Sequence, residues 1–162
     1  DAGALALNKS HGSPVPVIQD SVAHFSQRAR ERKIVLNTSA TGADTVVDFD
    51  ETRIRQIISN LVENALTHTP NEGSVSVDIF GDHDDIKILV TDSGIGIAEA
   101  DLPRIFDQFY RADQSRNRAT GGAGLGLTIV KRLVEAHGGD ISVTSNADSG
   151  TTFRVVLPAS RT

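Results

Sequence analysis

Apolar positions recur along this chain with two periods, and the changes of period divide it into elements. Val17, Ile18, Val22, Phe25 and Ala29 are spaced as one face of a helix over 17–32, with Arg28, Arg30 and Arg32 turned outward. IVLNTS (34–39) and TVVDFD (45–50) read as short strands around a turn at Thr41–Asp44. Asp50 then stands as the N-cap of a long helix reaching about His68, which Pro70 stops. SVSVDIF (74–80) and IKILVTD (86–92) are strands joined by the polar turn GDHDD. Residues 93–123 are rich in Gly and polar side chains, with short helical patches near 98–102 and 103–109. A stretch of that length between regular elements has the character of a functional lid. A second long helix runs from about Leu125 to His137 and stops at Gly138-Gly139, and strands follow over 140–145 and 151–158.

This order predicts one two-layer α/β sandwich, a mixed and mostly antiparallel sheet of about five strands with about three helices on one face. Residues 1–16, with Gly, Ser and two prolines, read as a mobile linker, which leaves 17–162 as the domain.

Composition narrows the classes. The 162 residues carry 16 basic and 21 acidic side chains, a net charge of −5, where a nucleic-acid binder normally shows a basic excess. No apolar run approaches the ~18 residues of a membrane span, and no charged start leads into an apolar signal segment. The absence of cysteine removes disulfides, thiol nucleophiles and Cys-based zinc sites, and is compatible with a reducing cytosol. A chain with no methionine that opens at Asp1 is expected to be a fragment of a longer protein.

Four places could carry chemistry. On the 50–68 helix, Asn60 and Asn64 share a face, with Thr67 and His68 a turn further on, beside the apolar stripe of Ile54, Ile57, Ile58, Leu61 and Ala65. They read either as solvated amides or as oxygen ligands for Mg²⁺, a hard cation that takes few protein oxygens. Asp92-Ser93-Gly94-Ile95-Gly96 ends a strand. It is either an Asp-initiated turn or a partly desolvated carboxylate that needs donors such as an exocyclic amine and water. Gly121-Gly122-Ala123-Gly124-Leu125-Gly126-Leu127 opens a helix, where bare N–H groups and the helix dipole favour phosphate; a flexible helix start is the alternative. It is neither a P-loop nor a dinucleotide fingerprint, because it lacks GxxxxGK[ST] and follows a loop rather than a strand. Arg111, Arg116 and Arg118 give the preceding segment a basic character suited to anions or to a solvated loop. Gly150-Thr151-Thr152-Phe153 by itself is a turn and a strand start.

Taken together, Asn60–His68, DSGIG (92–96), FDQFYR (106–111), GGAGLGL (121–127) and SGTTF (149–153) resemble, in order, the N, G1, F, G2 and G3 boxes of bacterial sensor histidine kinases. The likeness covers roughly 17–158 and implies the Bergerat ATP-binding fold with a mobile ATP lid at about 107–123. It implies that Asn64 ligates Mg²⁺, that Asn60 contacts the phosphate side, and that Asp92 accepts the adenine amine with Gly94 and Gly96 clearing the ring. Gly122, Gly124 and Gly126 would offer lid backbone to the phosphates of ATP, and Thr151 would support water at Asp92. Phe106 and Phe109 would anchor the lid, and Tyr110-Arg111 would bring in a cation. The same match places Thr67, His68, Ile97, Leu125 and Leu127 at the nucleotide, and leaves Glu63 to orient an acceptor imidazole.

Three points stand out. The family usually has Lys where this chain has Thr67, so a direct cationic phosphate contact from this helix is lost and Arg111, Arg116 or Arg118 would replace it. ATPase relatives have Glu where it has Asn60, so slow ATP hydrolysis is expected. The family's phosphoacceptor box, a His followed by an acidic residue and soon by Pro, is matched by none of the five histidines. The implied activity is therefore transfer of the ATP γ-phosphoryl to a histidine on a separate dimerisation domain of the same kinase, which feeds a response regulator. The resemblance further implies a monomeric cytoplasmic domain of a membrane-anchored, homodimeric parent. The alternative of the same fold is a non-catalytic ATP-sensing module.

Overall fold

The computed structural model describes residues 6–107, 123–146 and 150–160. The elements in chain order are β1 (Ser10–Gly12), α1 (Val15–Ala23), α2 (Ser26–Glu31), β2 (Val35–Thr41), β3 (Val47–Phe49), α3 (Glu51–His68), β4 (Ser74–Gly81), β5 (Asp85–Asp92), a 3-10 turn (Leu102–Arg104), α4 (Ala123–Ala136), β6 (Asp140–Asn146) and β7 (Gly150–Pro158). Five strands form one sheet in the order β2-β4-β5-β7-β6, in which only β2–β4 is parallel. Strict alternation decides which face is covered. Val75, Val77 and Ile79 of β4, Ile86, Ile88 and Val90 of β5, and Phe153, Val155 and Leu157 of β7 are buried. The helices lie on that face: α3 meets it with Ile54, Ile57, Ile58, Leu61, Val62, Ala65 and Leu66, and α4 with Val130, Leu133 and Val134. The expected two-layer sandwich is the one observed.

Helix α3 is fixed at both ends. The Asp50 carboxylate accepts the Arg53 N–H at 3.1 Å, and its other oxygen accepts the Asn8 N–H at 2.8 Å. At the far end the Thr69 hydroxyl bonds the Ala65 carbonyl, while the Arg32 guanidinium reaches the carbonyls of Leu66 and Thr69. An Arg on the last carbonyls satisfies groups the helix leaves over and suits the negative end of its dipole. His137, buried just past α4, donates from Nδ1 to Leu133 O at 2.8 Å and accepts the Asp50 N–H at Nε2 at 3.1 Å. That contact ties the end of α4 to the start of α3.

Four expectations are corrected. The segment 1–16 is not a linker throughout, since Ser10–Gly12 pairs antiparallel with Val47–Phe49 and Val15 is buried. The helix expected over 17–32 breaks at His24-Phe25, which lets α1 lie on α3 while Ala29 of α2 sits under β2. The strands on either side of Thr41–Asp44 do not pair with each other, because β2 joins β4 in parallel and β3 joins β1. Where the patches near 98–102 and 103–109 fall on the described residues, up to 107, they are a turn closed by Asp101 N to Ala98 O and a 3-10 helix over Leu102–Arg104 closed by Arg104 N to Asp101 O, rather than α-helix.

Candidate functional site

The residues singled out on α3 lie along the border of its buried stripe. Asn60, Asn64, Thr67 and His68 are all half-buried, between the apolar face and solvent. The Asn60 amide donates to the Gly126 carbonyl at 3.4 Å, which joins α3 to the first turns of α4. That contact commits the amide nitrogen and leaves the amide oxygen as an acceptor. Leu127, the next residue of α4, is buried, and Gly124 and Leu125 belong to the first turn of the same helix. Gly126 differs from the other site glycines. Among the described residues a methyl group there would meet only the Asn60 amide, at 3.9 Å, and the backbone is not in the left-handed region.

Asp92, the last residue of β5, is 4% exposed. Its carboxylate accepts the Gly94 N–H at 2.8 Å and a backbone N–H from Thr151. Burial pushes its pKa up, and the two N–H donors pull it partly back. A carboxylate offers about four acceptor directions, so a group that needs donors remains at the end of the sheet. The loop that follows is held closely. Ser93 and Ser74 exchange two bonds, Ser93 N to Ser74 O and Ser74 N to Ser93 Oγ. A side chain at 94 would lie 2.2 Å from the carbonyl of His68, so Gly94 is required by packing against the end of α3 as well as by any ring beside it. The Ile97 N–H donates to Ser145 Oγ at 2.6 Å.

Two residues that sequence reasoning left unassigned complete this corner. Gly150 has φ +87°, and a Cβ there would lie 2.0 Å from the carbonyl oxygen of Asp92. Ser145 of β6 bonds the Gly150 carbonyl and the Thr151 hydroxyl, each at 2.9 Å. Gly150 lies within the SGTTF motif but its contact with Asp92 is long-range, and nothing in the sequence marks Ser145, whose bond to Ile97 also joins distant segments. Phe106 meets Phe153 edge-on at 6.1 Å, lies under Lys131, and accepts the Thr128 hydroxyl on its carbonyl at 3.0 Å. The start of the expected lid is thereby pinned to α4 and the core.

The structure therefore brings together Asn60 with Gly126, and Asp92 with Gly94 and Thr151, while Ile97 joins the same corner through Ser145. It engages Glu63 elsewhere, in an ion pair with Arg28 of α2 at 2.9 Å. Phe109, Tyr110, Arg111, Arg116, Arg118 and Gly122 lie outside the described residues.

A sandwich whose Asp-ended central strand stands near a row of amides and a glycine-rich helix start defines a class of nucleotide-binding fold. The chain belongs to the family described as "Histidine kinase-, DNA gyrase B-, and HSP90-like ATPase", which it matches over residues 49–161. It is 39% identical over 134 residues to the sensor histidine kinase WalK of Bacillus subtilis (strain 168), a match that covers 82% of this chain and 22% of WalK. Its fold superposes on the catalytic domain of histidine kinase ThkA in nucleotide-free form with a TM-score of 0.82 and 26% identity, covering 94% of this chain and 97% of that one. Full-length ShkA in complex with AMPPNP gives a TM-score of 0.84 and 29% identity, over 98% of this chain and 33% of ShkA. The chain spans well under half the length of the curated relatives it matches.

Proposed function

We propose that this domain binds Mg-ATP and transfers its γ-phosphoryl group to a histidine on a separate dimerisation domain of the same sensor kinase, which in turn supplies a response regulator. The observation that carries the reading is Asp92, a nearly buried carboxylate whose protein donors leave acceptor directions for an exocyclic amine and water. The relatives named as sensor histidine kinases and the AMPPNP complex of ShkA point the same way.

The residues divide the work by chemistry. Asp92 and Thr151 take the base, with Gly94 and Gly96 beside it. The first turn of α4, at Gly124 and Leu125, offers the phosphates its left-over N–H groups and the positive end of a helix dipole, with Gly126 and Leu127 next along the helix. Thr67 and His68, half-buried a turn further along α3, would stand beside the nucleotide. Asn64 would hold Mg²⁺ and Asn60 would stand beside the phosphates; their amide oxygens are the hard donor set this ion accepts. When bound, the ion neutralises phosphate charge. Arg111 supplies a cation from the lid, and Tyr110 accompanies it.

Transfer then needs chiefly positioning and charge stabilisation, since a neutral imidazole is already a nucleophile near neutral pH. Glu63 acts on that imidazole only after release from Arg28, to which it is paired at the surface. No carboxylate stands at position 60, so water is poorly activated and ATP turnover without an acceptor is slow. On this reading the domain works in the cytoplasm, on a parent anchored in the membrane. No helix among the described residues is long and apolar enough to cross one.

The test mixes this chain with the dimerisation domain and γ-labelled ATP. Acid-labile, alkali-stable label on histidine is the expected product. Tight ATP binding without such label would refute transfer, and absence of ATP binding would refute the site.

A further inference from the structure

Ser145 lies opposite Thr151 in the β6–β7 register, on the helix-facing side of the sheet. Its hydroxyl oxygen has three neighbours at hydrogen-bond distance: Ile97 N at 2.6 Å, Gly150 O at 2.9 Å and Thr151 Oγ1 at 2.9 Å. A serine hydroxyl has one hydrogen and two lone pairs. The Ile97 N–H can only donate and the Gly150 carbonyl can only accept. All three bonds coexist in a single arrangement, in which Ser145 donates to Gly150 O and accepts from both Ile97 N–H and the Thr151 hydroxyl.

That arrangement fixes the polarity of the neighbouring threonine. With its only hydrogen directed at Ser145, the Thr151 hydroxyl keeps lone pairs alone for any other partner. Its backbone N–H is directed at the Asp92 carboxylate, which is itself acceptor-only when ionised. The backbone beside it is held twice: Ser145 donates to the Gly150 carbonyl, and a Cβ at Gly150 would have no room against the Asp92 carbonyl.

We infer that Ser145 is a positioning and specificity-determining residue that orients the Thr151 hydroxyl as an acceptor, so that the base-binding end of the site rewards a ligand edge that donates. This rests on the nucleotide reading above and adds to it a reason for base choice. An amino group at the purine 6-position, or water held by it, satisfies two acceptors; a 6-oxo group meets two acceptors with a third and is rejected. Ser145 touches neither base nor phosphate and acts through Thr151 and the Ile97 loop.

The test measures Mg-ATP and Mg-GTP affinity by titration calorimetry on the parent chain and on three variants. Ser145→Ala removes the acceptor of the Thr151 hydrogen. The ATP-to-GTP affinity ratio is expected to fall about tenfold, the scale of one hydrogen bond. Thr151→Val deletes the hydroxyl while keeping the shape and is expected to lower the ratio similarly, including where Ser145→Ala is poorly folded by circular dichroism. Ser145→Thr restores the hydroxyl and is expected to restore the ratio. A ratio unchanged in both Ser145→Ala and Thr151→Val overturns the inference, because loosened packing weakens both nucleotides alike. A parent chain that binds neither nucleotide overturns instead the reading on which it rests.

Discussion

Gly126 separates a requirement of the fold from a requirement of the ligand. It lies inside α4, where glycine costs roughly 0.5–1 kcal/mol relative to alanine. Among the described residues, a Cβ at 126 would find the Asn60 amide at 3.9 and 4.0 Å, ordinary contact, and no positive φ would strain it. Gly126→Ala is therefore expected to stabilise the chain by about 0.5–1 kcal/mol in urea denaturation. If the phosphates approach the backbone here, the same methyl overpacks the complex at a cost of about 1–3 kcal/mol, roughly a 5- to 150-fold loss in Mg-ATP affinity. The two signs oppose each other, and that opposition carries the reasoning. A variant less stable than the parent would show that packing, rather than ligand space, selects glycine at 126. A more stable variant with unchanged ATP affinity would show that no ligand approaches at this point.

Three further perturbations address neighbouring contacts. Asp92→Asn is expected to weaken Mg-ATP binding roughly 10- to 150-fold, the worth of about 1.5–3 kcal/mol for a charged hydrogen bond, while circular dichroism stays native; binding within twofold of the parent would refute the base contact. Because burial raises the Asp92 pKa above 3.8, its ionisation opposes folding, so the stability of Asp92→Asn relative to the parent should grow as pH rises from about 3.8 through the folded pKa. Asp50→Ala should cost about 0.5–2 kcal/mol at pH 7 for the lost cap. The Asp50 pKa is lowered by the N–H groups of Asn8 and Arg53, so its contribution is present above 3.8 and disappears as pH falls through the folded pKa; an Asp50→Ala deficit that persists undiminished in acid would contradict this. Gly150→Ala should destabilise by at least about 1–3 kcal/mol from its left-handed backbone alone, and a change below ~0.5 kcal/mol in urea would show that the turn relaxes away from Asp92.

What could be read from the residues themselves was whatever is local. The Asp50 cap and the Ile54–Leu66 stripe announce α3, and the alternation in 74–80 and 86–92 announces the β4–β5 pair. Asp92, Asn60 and Asn64 stood out because polar groups interrupt or border apolar patterns. The features that escaped are tertiary. Ser10-His11-Gly12 has no strand pattern and pairs only because Val47–Phe49 lies beside it. No Gly or Pro marks the break at His24-Phe25, which follows from packing α1 on α3 and Ala29 under β2. Ser145 resembles any strand serine until β6, β7 and the Ile97 loop meet around its hydroxyl.

The position of β7 between β5 and β6 sets the order in which the molecule can be made. Synthesis delivers β2, β4 and β5 first, and the second edge of β5 waits until Gly150–Pro158 emerges and pairs Asp92 with Thr151. Until then the nascent sheet presents an open strand edge, the form most prone to pair with another chain. Asp92 meanwhile lacks the Thr151 N–H, so the site is assembled at the final strand insertion rather than alongside the early hairpin. A nucleotide that binds the finished site rewards only chains in which β7 is in place, which makes ligand binding a check on the insertion of that strand.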